Sequence, residues 1–188
     1  MTAGSYMYIG PQGIVHGTTI TVLNASRMID KENKKGTKLF VTSGLGGMSG
    51  AQPKAGNIAG VVSITGEINP AAAYKRHEQG WVDEVIEDTD KTIDTALEYK
   101  NNQQAHSIAY LGNIVDLWEK LAERGIKVDL GSDQTSLHNP WAGGYYPAGL
   151  SYEESNEMMS KNPEKFKEHV RNSLKRQVKA INSLTKQG

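Results

Sequence analysis

Short apolar runs alternate with helical patterns along most of the chain. Four runs have strand length: LFVTSG (39–44), VVSITGEI (61–68), SIAYLG (107–112) and a weaker run at about 126–131. Helix signals lie between them, such as Pro70 at a first helical position. Continuous apolar runs indicate strands buried on both faces, and their alternation with helices predicts a doubly wound, mostly parallel α/β sheet with flanking helices.

Helical segments flank this pattern at both ends. After a glycine-punctuated opening, the stretch TITVLNASRMIDKENKKG is expected to form a helix that ends in a polar loop. A second segment spans about 152–186 and carries an apolar stripe at i+4 steps: Phe166, Val170, Leu174 and Val178, followed by Ile181. This stripe predicts a long C-terminal helical segment that packs on its own domain or on a neighbouring one.

The composition limits the class of protein. The 188 residues suit one domain of ordinary size. The absence of Cys excludes disulfides, thiolate zinc sites and cysteine nucleophiles from this chain. No apolar run approaches the roughly 18 residues of a membrane helix, and the N-terminus lacks the features of a secretory signal. We expect a cytoplasmic protein without a membrane partner and, because the five His are scattered, without a metal site.

The charge is balanced overall but unevenly distributed. Lys and Arg number 21, as do Asp and Glu. Residues 78–98 hold eight acidic side chains and one basic, whereas residues 161–186 hold eight basic and two acidic. A basic helix can bind nucleic acid, but it is more often a solvated or docking face, so no nucleic-acid partner is expected.

A glycine-rich turn, GLGGMSGAQP (44–53), follows the first predicted strand. Such turns bring backbone N–H groups close to a pyrophosphate at a helix N-terminus. The register departs from G-x-G-x-x-G, because Ser49 takes the third glycine position and Gly50 comes one residue late. Glu67 follows Gly44 by 23 residues, where the fingerprint places an acid for the ribose. The pair predicts a nucleotide site preferring NAD over NADP; a structural turn and an exposed Glu are the alternatives.

The loop DQTSLHNPWAGGYYPAG (133–149) follows the last predicted strand. Asp133, Ser136 and His138 have the residue types of a hydrolase triad. They fall within six consecutive residues, however, and no G-x-S-x-G elbow presents the Ser. Because ligands of open α/β sheets bind at the carboxyl ends of strands, we expect cofactor contacts from this loop.

Several motifs together resemble those of the urocanase (urocanate hydratase) family. They are YIGPQG, GLGGMSGAQP, LGN (111–113) and DQTSLHNPWAGGYYPAG, in the family's order. The resemblance runs from Met1 to the C-terminal helix and implies a Rossmann-like NAD-binding domain inserted into a core. Residues 1–188 would then be one central domain, in which 1–36 leads in from the core, 37–150 binds the nucleotide and 151–188 leads back.

The resemblance also implies a reaction. Urocanases are lyases that hydrate urocanate to imidazolonepropionate in histidine catabolism. They use tightly held NAD+ as an electrophile. The resemblance also implies that the full-length protein is a homodimer. The catalytic cysteine of the family lies in the core, outside this chain. The chain alone is therefore expected to be inactive towards urocanate.

The family's cofactor contacts carry over to a defined set of positions. They are Gly47, Met48, Ser49, Glu67, Asn113, Ile114, Gln134, Thr135, Ser136, Leu137, His138, Tyr145 and Tyr146. Ser49 replaces a glycine, Ile114 an alanine and Tyr146 a leucine. Ala72 stands where the family places an arginine beside the cofactor, so we expect either a lower affinity or a contact from Lys75 or Arg76.

Two other functions stay open at this point. A generic NAD-dependent dehydrogenase domain would use His138 as its acid–base residue. A non-catalytic binding module would use the basic 161–186 helix and bind nucleic acid with steep salt dependence.

Overall fold

A computed structural model describes residues 11–30, 36–132 and 139–186. The helices are α1 (Pro11–Asp30), α2 (Gln52–Ala59), α3 (Pro70–Glu78), α4 (Thr89–Asn101), α5 (Ile114–Glu123), α6 (Tyr152–Lys161) and α7 (Pro163–Lys186). The strands are β1 (Leu39–Ser43), β2 (Val62–Glu67), β3 (Glu84–Ile86), β4 (His106–Leu111) and β5 (Leu130–Gly131). Among the described helices, none is long and apolar enough to span a membrane.

The five strands form one parallel sheet in the order β3-β4-β2-β1-β5. The chain moves from β1 to β2 in one direction and later returns to place β5 on the other side of β1. Helices cover both faces of the sheet, which confirms the predicted doubly wound architecture. The reversal beside β1 opens a crevice at the carboxyl ends of the strands, where this class of sheet binds its ligands.

The two faces of the sheet differ in side-chain size. The face covered by α4, α5 and α7 carries the main core, in which Val41, Ile64 and Ile108 are fully buried. The opposite face, covered by α1, α2 and α3, carries small side chains such as Ala109 on β4, and the larger Phe40 on β1 packs with α1. Because successive strand residues point to opposite faces, both sets come from the same apolar runs.

The C-terminal segment consists of two helices, since Pro163 begins α7 after Asn162. Its buried positions follow 3- and 4-residue steps: Phe166, Val170, Ser173, Gln177 and Ala180. The predicted i+4 stripe was wrong at Val178, whose side chain is 54% exposed. Each i+4 step rotates about 40° around a helix, so three steps carry the stripe off the packed face.

The remaining differences concern the ends of elements. The helix α1 begins at Pro11, inside the glycine-punctuated opening, and the last strand covers only Leu130 and Gly131. The helix α4 begins at Thr89, because the Asp88 side chain accepts a hydrogen bond from Lys91 N and caps the helix.

The edge strand β3 was not predicted, because three residues in an acidic segment give no strand pattern. Asp83, just before it, accepts hydrogen bonds from Asn57 Nδ2 and from the backbone and hydroxyl of Ser107. Burial opposes ionisation of Asp83, but these bonds and the nearby His106 outweigh it and lower the pKa of the carboxyl. An ionised Asp83 therefore joins β3 to β4 and α2.

Candidate functional site

A cavity of about 270 Å³ lies at the carboxyl ends of β1, β2 and β4. Glycines form much of its wall: Gly44, Gly46, Gly66, Gly112, Gly143 and Gly144. The side chains of Ser49, Glu67, Asn113, Tyr145 and Tyr146 complete it. It occupies the end of the sheet at which a ligand was expected.

The turn after β1 has a backbone that only glycine accepts at its first position. Gly44 has a φ of +85°, and an added Cβ would lie 2.7 Å from the Ser49 hydroxyl. At the end of β2, a Cβ on Gly66 would lie 3.2 Å from Ile114. Both glycines keep the wall free of side chains, so a ligand can approach the backbone itself.

Glu67 connects three loops at the cavity. Its Oε2 accepts a 2.6 Å hydrogen bond from Leu45 N, and its Oε1 accepts one of 2.8 Å from Asn69 N. Its own carbonyl accepts a 3.0 Å bond from Gly112 N. Each carboxylate oxygen has two lone pairs, so a ligand hydroxyl can still donate to Glu67.

The glycine turn presents unused hydrogen-bond donors. No residue in the described ranges accepts a bond from the backbone N–H of Gly46 or Gly47. The neighbouring amides of Gly44 and Leu45 donate instead to Gly66 O and to Glu67. Donors of this kind at the start of a helical segment bind anions. Across the described residues, no cluster of three metal-ligating side chains occurs.

Asn113 links the start of α5 to the loop of the two tyrosines. Its Oδ1 accepts a 3.0 Å bond from Val115 N and caps α5, while its Nδ2 donates to Tyr146 O at 2.8 Å. The buried Tyr145 hydroxyl donates to Gln177 Oε1 of α7 at 2.8 Å. The wall of the cavity thus depends on the last helix of the chain.

Tyr146 lies on the cavity with its hydroxyl 3.0 Å from Asn156 Oδ1. Burial and the neighbouring Tyr152 raise its pKa to about 12. The phenol therefore stays protonated at neutral pH and offers a neutral hydroxyl, not a phenolate base.

The comparisons with known proteins agree with this geometry. The sequence matches the family model of the urocanase Rossmann-like domain over residues 10–188. The chain belongs to this urocanase domain family. It is 58% identical to a probable urocanate hydratase of Caenorhabditis elegans, and 53% and 52% identical to the urocanate hydratases of Mus musculus and Homo sapiens. All of the chain is covered in each match, and it spans 28% of the length of these relatives.

This urocanase-family domain brings together six of the side chains or positions assigned to the cofactor: Ser49, Glu67, Asn113, Ile114, Tyr145 and Tyr146. Gly47 lies in the same turn, and Met48 beside it is 61% exposed and faces α1 instead of the cavity. Residues 133–138, which include Gln134–His138 and the triad types, lie outside the described residues. Their part in binding stays a prediction.

Three positions were considered for a basic contact with the cofactor, and they have different surroundings in this urocanase domain. Ala72 packs against the small cluster that includes Leu45 and Val82, and Lys75 is exposed. Arg76 reaches the carbonyls of the glycine turn and does not line the cavity. The sequence predicted either a lower affinity or a cofactor contact from Lys75 or Arg76, and both stay predictions. It did not predict the contact of Arg76 with the turn, for which the displaced glycine at position 50 was the available signal.

Proposed function

We propose that the chain is the NAD+-binding domain of a urocanate hydratase. The parent enzyme would be a cytoplasmic, homodimeric lyase that hydrates urocanate to imidazolonepropionate in histidine catabolism. The observation that carries the proposal is a cavity lined by both Glu67 and Gly46, the latter in a glycine turn whose amides at Gly46 and Gly47 are unused among the described residues. The names of the relatives support the parent activity.

The residues of the cavity fit a dinucleotide. The N–H groups of Gly46 and Gly47 suit the pyrophosphate, because they are free of partners among the described residues. The Glu67 carboxylate suits the ribose hydroxyls and disfavours a 2′-phosphate through like charge. NAD+ is therefore preferred over NADP+ in this proposal.

The residues of this chain would bind and orient the cofactor. When bound, NAD+ supplies an electrophilic ring for the reaction. Asn113 holds the loop of Tyr146 in place through the carbonyl of that residue, and the protonated Tyr146 hydroxyl offers a neutral contact. Because the chain contains no Cys, we propose that it does not turn over urocanate alone.

Calorimetric titration with NAD+ tests the proposal. Glu67→Ala is an ambiguous variant, since Glu67 also holds the amides of Leu45 and Asn69. Gly47 offers a cleaner pair, because a Cβ there meets nothing within 4 Å. Gly47→Asp should abolish or strongly weaken binding by repelling the phosphates, whereas Gly47→Lys at the same position should retain it.

The wild-type titration decides the matter. Saturable binding of NAD+, with weaker binding of NADP+, supports the proposal. Absence of NAD+ binding, or equal affinity of the two Gly47 variants, contradicts it. A second assay follows the absorbance of urocanate with the chain and NAD+, and decay of that absorbance would refute the proposed inactivity of the isolated chain.

A further inference from the structure

Arg76 holds the glycine turn from its outer side. The Arg76 Nε donates to Leu45 O at 3.0 Å, and Nη2 donates to Gly46 O at 2.6 Å. Nη1 donates to Gln79 Oε1 at 2.8 Å, and the guanidinium carbon lies 5.2 Å from the centroid of the Trp81 ring. The planar guanidinium is therefore fixed in orientation by α3 and the residues after it.

These two contacts hold two peptide planes in place, the second of them together with Gly50 N, which also donates to Gly46 O at 3.1 Å. In a trans peptide the carbonyl and the N–H point in opposite directions. The carbonyl of Leu45 shares its peptide with the N–H of Gly46, and the carbonyl of Gly46 shares its peptide with the N–H of Gly47. Since both carbonyls point at Arg76, both N–H groups point away from it. The positive charge also polarises the two peptides and strengthens their N–H groups as donors.

The same contacts explain the shifted glycine of the motif. A Cβ on residue 50 would overlap the guanidinium of Arg76, so Gly50 leaves the space that Arg76 fills. Leu45 is meanwhile held at both ends, by Glu67 at its N–H and by Arg76 at its carbonyl. The turn is thus fixed between an acidic and a basic side chain from two different elements.

We infer that Arg76 is a positioning residue, which keeps the amides of Gly46 and Gly47 directed at the diphosphate of a bound dinucleotide. The inference rests on the proposed function and adds a residue to it. Arg76 does not line the cavity, so its effect passes through the turn and not through a direct contact with the ligand.

Arg76→Lys tests the inference, because it keeps the charge and loses the fork that holds two carbonyls. The affinity for NAD+, measured by calorimetry, should fall about 10- to 100-fold. Arg124→Lys is the matched control, since Arg124 also binds two groups, Asp90 and Asp94, but on a different part of the surface. It should leave the affinity unchanged.

Amide spectra separate positioning from a general loss of structure. On addition of NAD+ or inorganic pyrophosphate to the wild type, the 15N–1H signals of Gly46 and Gly47 should shift downfield in the proton dimension. In Arg76→Lys these shifts should shrink at saturating ligand, while signals elsewhere keep their positions. Gly50→Ala, which displaces the guanidinium, should reproduce the effect and add nothing in the double variant with Arg76→Lys.

Each result has a distinct meaning. Wild-type affinity in Arg76→Lys overturns the inference and leaves the proposed function intact, as does an equal loss in Arg124→Lys. Failure of the wild type to bind NAD+ overturns the proposed function and the inference with it. A selective loss in Arg76→Lys and Gly50→Ala supports both.

Discussion

Replacing Gly44 by Ala probes the backbone that forms the turn. The φ of +85° costs an L-residue about 1–2 kcal/mol. The new Cβ would lie 2.7 Å from Ser49 Oγ and 3.3 Å from Ser49 Cβ, an overpacking worth about 1–3 kcal/mol. The loss of freedom in the unfolded chain offsets about 0.4–1 kcal/mol of this. Gly44→Ala should therefore lower the free energy of unfolding by roughly 1–5 kcal/mol.

The two costs can be separated with Ser49→Gly. This change removes the atoms that meet the new Cβ, but it does not alter the φ of residue 44. In the Gly44→Ala background it should recover roughly the overpacking part, about 1–3 kcal/mol, as a coupling energy in a double-mutant cycle. The residual loss should be the backbone cost less the offset from the unfolded chain, about 0–1.6 kcal/mol.

Urea unfolding followed by far-ultraviolet circular dichroism measures these energies, with equal m-values as the condition for comparison. A loss below about 0.5 kcal/mol for Gly44→Ala would refute the reasoning from the backbone angle. Absence of coupling to Ser49 would refute the reasoning from the contact, even if the single variant were unstable.

The remaining predictions concern the core, a helix cap and pH. Phe166→Ala should lower the free energy of unfolding by about 3–5 kcal/mol, since the ring is fully buried. Val178→Ala on the same helix should lower it by less than about 0.5 kcal/mol, because Val178 is exposed. Similar urea midpoints for the two variants would contradict the assignment of the packed face of α7. Asn113→Ala should lower the free energy of unfolding by about 1–3 kcal/mol, because it removes the cap of α5 and the bond to the tyrosine loop. The midpoint of thermal unfolding measures this loss, and an unchanged midpoint would contradict the prediction. The lowered pKa of Asp83 gives stability that is present above the ordinary value of 3.8 and is lost as pH falls through the folded-state pKa. Asp83→Asn should thus be less stable than wild type at neutral pH and indistinguishable from it in strong acid; a difference that persists in acid would show that the charge is not its cause.

The sequence predicted those parts of the fold that repeat a local pattern. Buried parallel strands give unbroken apolar runs, so β1, β2 and β4 were predictable. The three-residue β3 was not, because its pairing with β4 stabilises a segment with no pattern of its own. The packed face of α7 depends on which helix residues meet α5, and the i+4 spacing alone placed Val178 on the wrong side.

The candidate site also has parts that local sequence patterns predict and parts that depend on distant contacts. The place of Glu67 beside the glycine turn was predictable, because its distance from the turn is fixed by the strand and helix between them, and its ribose-binding role stays a prediction. The contact of Arg76 with the turn joins residues 31 positions apart, and nothing local distinguishes Arg76 from Lys75. The bond between Tyr145 and Gln177 spans 32 positions and depends on where α7 lies, which the sequence does not state.

The bonds from α7 to the tyrosine loop set the order in which the cavity is built during translation. The sheet is complete once β5 has paired with β1, but the hydrogen bond from the Tyr145 hydroxyl to Gln177 forms only after Gln177 has been synthesised. The hydrogen bond from Ala148 N to the Ser173 hydroxyl likewise forms only after Ser173 has been synthesised. At 5–20 residues per second, synthesis from the end of β5 to Gln177 takes roughly 2–9 s, during which the nascent chain carries a finished sheet and a tyrosine loop that lacks its bonds to α7. Slower decoding of the α7 codons would prolong exposure of the aromatic loop to chaperones while leaving the sheet unaffected.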